Sequence, residues 1–367
     1  MSGEVPYEID FLPVGSGDKS GDAIACRWKE GDSYKVLVYD GGTKESGQAL
    51  VDLIVKHYDT RKVDYVVNSH PDGDHASGLQ VVLEQLQVGE LWMHRPWVYS
   101  ATIREYFRDG RITDNSLAER LQEKMAAAYK LETIASEKKI PLSEPFQGSK
   151  IGPFTVLSPE KEWYVHELIP AFAKSPDLKP LSATLDIAIE QLKEAEKKLL
   201  NRVNENWATD SLRENVSTSA ENESSAILLG NFDNYGVLLT GDSGIKALLR
   251  ASKEAIFLGY ELPKILKFIQ VPHHGSRNNV SPTVLDLIVG PKKTIQDENY
   301  TKTAFVSAGK DSSTHPRLMV VNALLRRGAK VISTKGRAQR HSHKTPAREG
   351  YSPSDPMKFS NEVESWD

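Results

Sequence analysis

Four side chains able to bind a metal ion fall within six residues of the segment Ser69-His70-Pro71-Asp72-Gly73-Asp74-His75. Imidazole and carboxylate together suit divalent ions of the zinc, manganese or magnesium kind. The segment directly follows the apolar run Val63-Asp64-Tyr65-Val66-Val67, which predicts a mostly buried strand. A strand end presents its following loop at the sheet edge, where α/β folds collect their chemistry. Residues i and i+2 of a tight turn point the same way, so His70 and Asp72 can face one ion. Asp74 and His75, from the next turn, can serve a second. The plainer alternative is a solvated turn in which Asp72 and Asp74 cap a helix, but caps do not require two flanking histidines.

Two later segments add to the set. Leu238-Leu239-Thr240-Gly241-Asp242 places a carboxylate after an apolar strand, as a ligand or as a helix cap. Gln270-Val271-Pro272-His273-His274-Gly275-Ser276 places two adjacent histidines after another strand. Extended backbone sends neighbouring side chains to opposite sides, so only one of His273 and His274 is expected to ligate directly. In Ser307-Ala308-Gly309-Lys310, Lys310 or Ser307 can bind a phosphate. In Thr314-His315-Pro316, His315 is either a proton donor to a leaving oxygen or a loop histidine ahead of a Pro-started helix. His94 either lines the cleft or is a half-buried structural histidine; His57 and His166 take the structural reading. Lys335, Arg337, Arg340, Lys344 and Arg348 form a stretch free of acidic residues, which is either a basic arm for a polyanion or a solvated tail.

Taken together, these residues resemble the metallo-β-lactamase superfamily. That family carries His-x-His-x-Asp-His where this chain has His-x-Asp-x-Asp-His, a variant similar to the hydrolase domain of ComEC-type DNA-uptake proteins. Val14-Gly15-Ser16-Gly17-Asp18 with Gly21-Asp22-Ala23-Ile24 resembles the family's opening strand and turn, and Asp40-Gly41-Gly42 the end of its next strand. The resemblance implies that Asp242 bridges two metal ions, that His274 is the direct ligand and that His273 stands behind it or at the substrate. It also implies that Asn222 occupies the place of a missing imidazole. The expected ligands are therefore His70, Asp72, Asp74, His75, Asp242, His274 and Asn222, with Asp74, His315, Lys310 and His273 as catalytic candidates. The position served by His70, Asp72 and Asp242 should be looser and richer in oxygen. Zinc is the leading ion, with manganese or magnesium at that weaker position. The implied activity is hydrolysis by a two-metal-activated water, most simply a phosphodiesterase or nuclease on DNA or RNA. The alternative is a small-molecule metallohydrolase acting on a cyclic nucleotide, a phosphocholine-type diester, an ester or a lactone.

These residues need a scaffold, and the pattern of the chain supplies one. Strands are predicted at Tyr7 to Val14, Ala23 to Trp28 and Tyr34 to Tyr39, then a helix with Leu50, Leu53, Ile54 and His57 at helical spacing. From about 100 to 220 charged, helix-favouring stretches dominate, around Leu117 to Lys138 and Thr184 to Trp207, the second carrying the stripe Leu185, Ile189, Leu192, Leu199 and Val203. Phe154-Thr155-Val156-Leu157 reads as a strand returning to the main sheet. Strand–helix alternation resumes at Ala226 and runs to Ile332. The expected fold is a four-layer αβ/βα sandwich with a helical insertion over 1–335, then a flexible polar and basic tail, 336–367.

Composition bounds the rest. One cysteine, Cys26, excludes a disulfide framework and a cysteine zinc cage. A net charge of −4 gives no global basic field, so any nucleic-acid site must be local. The opening Met-Ser-Gly-Glu-Val-Pro-Tyr has no leader character, and no apolar run approaches the ~20 residues of a membrane span. A cytoplasmic location without membrane contact is the expectation; a protein partner is not legible.

Overall fold

The structure is a computed structural model and describes residues 4–17, 21–179 and 201–366. Its strands are β1 (Tyr7–Phe11), β2 (Ala23–Glu30), β3 (Ser33–Gly41), β4 (Lys62–Asn68), β5 (Gln87–Met93), β6 (Leu142–Ser143), β7 (Lys150–Ile151) and β8 (Phe154–Ser158). After these come β9 (Arg202–Asn204), β10 (Ile227–Phe232), β11 (Tyr235–Leu239), β12 (Leu266–Gln270), β13 (Lys302–Val306), β14 (Ala329–Ser333), β15 (Gln339–His343) and β16 (Glu362–Glu364). One seven-stranded sheet has the order β15-β1-β2-β3-β4-β5-β6, the other β14-β13-β12-β11-β10-β8-β7.

Period-two alternation explains the layering. Ile24, Cys26 and Trp28 of β2 join Leu37 and Tyr39 of β3 in an apolar cluster with Phe154, Leu228, Val237 and Phe268 of the other sheet. That cluster is the filling between two sheets packed face to face. The intervening residues, Ala25, Val36 and Val38, face outward onto helices α1 (Lys44–His57) and α2 (Gly73–Gln85). Leu238, Ile269 and Ala304 do the same on the far side, covered by helices such as α5 (Ile245–Phe257) and α6 (Leu318–Arg326). Helix, sheet, sheet and helix are the four layers of a mixed α/β sandwich of the metallo-β-lactamase kind. Cys26 is a buried thiol between the sheets.

The insertion is partly helical. Where one helical stretch is expected over Leu117 to Lys138, there are two helices, α3 (Asp114–Lys124) and α4 (Ala126–Lys138), broken at Met125. Phe154–Ser158 is the returning strand, paired with β10. The stripe Leu185, Ile189, Leu192 and Leu199 lies outside the described residues. Its last member, Val203, is in a strand instead, because β9 pairs with β16.

The expectation of a mobile tail is corrected at several points. Gln339–His343 completes the first sheet as β15, antiparallel to β1. Arg348 pairs with both Glu8 and Asp10, and Arg340 with Glu8, two carboxylates that are fully buried. Farther on, Glu364 accepts from the backbone of Leu318 and Met319 at the start of α6. Basic residues that read as solvated in sequence are in fact the counter-charges of β1. Among the described residues no helix is long and apolar enough to cross a membrane.

Candidate metal centre

His70 leaves the end of β4, and α2 begins three residues later. Asp72 stands at the N-cap position of α2, yet its side chain makes no capping hydrogen bond. Its Oδ2 instead lies 3.7 Å from His70 Nε2, and Oδ1 contacts Lys174 Nζ. The cap reading of Asp72 therefore fails. His75, on the first turn of α2, is pressed towards β3 because Gly78 lies against the backbone of Gly41; a Cβ on Gly78 would fall 1.9 Å from Gly41 O. There His75 Nδ1 meets Asp40 Oδ2 at 2.9 Å. Asp40 also accepts from Ser69 N at 2.7 Å and Ser69 Oγ at 2.5 Å, and Ser69 Oγ lies 2.9 Å from His70 Nδ1. One buried carboxylate thus fixes the outer edges of both imidazoles, leaving each Nε2 to face inward.

Asp242 enters from the second sheet, after β11. It is not a cap either, since the N-cap of α5 is Gly244. Its Oδ2 is a hub: His75 Nε2 lies at 3.4 Å, His273 Nε2 at 3.7 Å, and His70 and His274 Nε2 each at 3.9 Å. The turn corrects the premise that the adjacent histidines point to opposite sides, without deciding which of them would ligate directly. His273 and His274 both have left-handed backbone, with φ of 46° and 56°, and so are not splayed as on a strand. Such conformations cost of order 1–2 kcal/mol each for non-glycine residues, and they concentrate where function requires them. His274 Nδ1 is held by Ser307 O at 3.2 Å. His273 Nδ1 is held by Asn279 Oδ1 at 3.0 Å, and Asn279 in turn donates to the carbonyls of Asp242 and Ser243. With Nδ1 engaged on that side, Nε2 is the His273 ring nitrogen turned towards Asp242.

Charge follows geometry. Burial opposes ionisation of Asp242, but His273, His75 and His274 hold it well below the usual carboxylate range. Burial likewise works against His75, yet Asp242 and Asp40 raise it well above the usual histidine range. Burial keeps His70 low and pushes His274 down to about 3. Asp22, buried behind the centre and hydrogen-bonded by Gln270 Nε2 at 2.6 Å, is pushed up to about 8, chiefly by burial.

The donor set fits divalent ions. His70 Nε2, His75 Nε2 and Asp242 Oδ1 are buried without a hydrogen-bond partner, a costly arrangement unless something else satisfies them. His75, Asp242 and His274 come together as one group of three, and Asp40, His70 and His75 as another. Asp40 is better read as an orienting group than a ligand, because its oxygens are already taken by Ser69 and His75.

Other expected residues are placed differently. Asp74 is half-buried beside His75 and belongs to neither group. Asn222 contacts His273, its amide nitrogen 3.0 Å from Nδ1 and 2.8 Å from Thr218 Oγ1. His315 stacks nearly parallel to His273 with ring centroids 6.4 Å apart. Lys310 is exposed on the same loop as His315. His94 is 3% exposed, stacked on Tyr164 at 4.4 Å, in an aromatic pocket and not on a cleft. Sequence reading missed Asp40, Ser69, Lys174 and Asn279 as parts of the site. Only Asp40 carried a signal, in its Asp-Gly-Gly context.

Residues 31–153 match the family model described as Metallo-beta-lactamase superfamily. The match spans β3 to the β7–β8 turn and includes Asp40, His70, Asp72 and His75 but not Asp242 or His274. Together with the fold it supports membership of that superfamily, without singling out the ComEC group within it. No curated protein matches. Among solved structures the chain is similar to YhfI of Bacillus subtilis, a metallo-beta-lactamase fold protein, at 10% identity over 92% of this chain and 100% of that one, with a TM-score of 0.38. A provisionally assigned metallo-beta-lactamase of Thermotoga maritima aligns at 12% identity over 70% of this chain and 86% of that one, TM-score 0.31. The hydrolase AbOPH of the beta lactamase superfamily aligns at 14% identity over 43% and 63%, TM-score 0.27. Likeness at these scores carries no functional argument.

Proposed function

We propose that this chain is a metal-dependent hydrolase of phosphodiester bonds, and that DNA or RNA is its substrate class. The carrying observation is the convergence of four imidazole Nε2 atoms on the buried carboxylate of Asp242, with Asp72 beside one of them, His70. His70 and Asp72 would hold one ion and His75 and His274 the other, with Asp242 reaching both. His273 supplies a fourth imidazole, which compensates for the absent one at Asn222. Zinc suits the nitrogen-rich position, and manganese or magnesium the side of Asp72. Ions so held would supply Lewis acidity and a water acidic enough to ionise near neutrality. Asp74, next to His75 in the chain, would serve as the proton acceptor for such a water. His315, stacked on His273, would return a proton to the leaving oxygen, and the exposed Lys310 would meet an anionic substrate.

A second reading, hydrolysis of small esters or lactones, is favoured by the pairing of Arg340 and Arg348 with Glu8 and Asp10, which takes those cations away from any nucleic-acid arm. Assays of purified protein on bis-p-nitrophenyl phosphate, single- and double-stranded DNA, RNA and a lactone, with zinc or manganese supplied and then chelated, separate the two. Metal-dependent diester cleavage supports the first reading. Lactone turnover without diester turnover replaces it with the second.

A further inference from the structure

Strands β12, β13 and β14 run parallel and adjacent, so the loops leaving their C-terminal ends lie along one sheet edge. The first loop carries His273 and His274, the second Lys310 and His315, and the third Lys335 and Arg337. Neighbouring strands are ~4.8 Å apart, which sets the third loop about 10 Å along the edge from the first. Contacts link the three. Ser307 O holds His274 Nδ1, Thr334 Oγ1 bonds both the N–H and the carbonyl of Ala308, and a Cβ on Gly336 would lie 2.9 Å from Lys310 Cβ.

Charge sorts the basic stretch into two parts. Arg340, Lys344 and Arg348 are matched by Glu8, Glu4 and Asp10. Lys310, Lys335 and Arg337 are exposed, and among the described residues no carboxylate pairs with them. Lys335 and Arg337 line a cavity of about 960 Å³ together with Thr334, Ser354 and the paired Arg340, with Asp355 as the acid on its wall. In a chain of net charge −4 these cations form a local field on the edge that carries the metal centre. At roughly 3.4 Å of axis per phosphate along a strand, about 10 Å spans about three phosphates. A nucleoside monophosphate or cyclic nucleotide, with its single phosphate, does not reach along that span.

We infer that Lys310, Lys335 and Arg337 form an anion-binding track for the phosphates of an oligonucleotide that flank the bond at the metal centre. The inference rests on the phosphodiester reading and narrows it to polymeric substrates. It is tested on the full, metal-loaded chain with a short fluorescein-labelled single strand, DNA in one arm and RNA in the other. Binding is followed by anisotropy from about 50 to 200 mM salt. Lys335→Gln/Arg337→Gln is expected to weaken binding and to flatten the log–log salt slope by about 1.4, at about 0.7 per lost contact. Arg337→Lys keeps the charge and is expected to keep the wild-type slope, which a folding defect would not mimic. A change in one arm alone names the polymer. Slopes and affinities unmoved in both arms overturn the track. Wild-type turnover of bis-p-nitrophenyl phosphate is scored separately: its absence counts against the phosphodiester reading, whereas its presence with unmoved slopes removes only the track.

Discussion

His75 Nδ1 lies 2.9 Å from Asp40 Oδ2 while His75 Nε2 lies 3.4 Å from Asp242 Oδ2, so one imidazole joins the end of β3 in the first sheet to the end of β11 in the second. Orienting carboxylates of this kind typically contribute 10–100-fold to metal affinity. Asp40→Asn is therefore expected to lower apparent zinc affinity by about that factor, read by competition with a chromophoric chelator. Unchanged affinity would mean that the ring is oriented by something other than Asp40.

His273 and His274 both turn their Nε2 atoms to Asp242 through left-handed backbone. Each single alanine variant should therefore lose metal more readily than wild type under mild chelation. Loss in His274→Ala alone, with His273→Ala retaining its full complement, would return His273 to a supporting role.

Arg348 compensates two fully buried carboxylates and secures the segment that follows β15. Arg348→Met leaves Asp10 and part of Glu8 without a counter-charge, and breaking a buried pair in this way costs about 3–5 kcal/mol. Urea unfolding should show a loss of that order. A change below about 1 kcal/mol would match a solvated pair instead.

His94 is buried among aromatic rings with neither ring nitrogen hydrogen-bonded, and burial pushes its pKa down to about 3. Between that value and the ordinary ~6.5, the unfolded chain takes up a proton that the folded chain refuses. Stability is then lost as pH falls below about 6.5, by roughly 2 kcal/mol at pH 5. Replacement by an apolar ring, His94→Phe, should flatten this limb of the stability–pH curve. An unaltered limb would place the acid sensitivity elsewhere.

Much of the scaffold was legible because its strands and helices are set by local periodicity: β2, β3, β4, β12 and β13 fall within a few residues of their apolar runs, and the loop His70 to His75 follows β4 as expected. The metal-competent residues were legible by type. Their partners were not, because Asp40, Lys174 and Asn279 reach the centre through contacts across 35, 102 and 6 residues that have no spacing rule. The His273-His274 turn was misjudged since strand alternation was extended into a backbone that has already left the strand. The tail was misjudged for a related reason: a run of Lys and Arg reads as solvent-facing unless one knows that Glu8 and Asp10 are buried opposite it.

Whether Asp242 joins two ion positions is read by elemental analysis of metal-supplied wild type and Asp242→Asn, both checked for folding by circular dichroism. Expected is about two equivalents of divalent metal per wild-type chain and at most one, weakly held, in Asp242→Asn. Two tightly held equivalents in Asp242→Asn, or none in wild type, would contradict that role of Asp242.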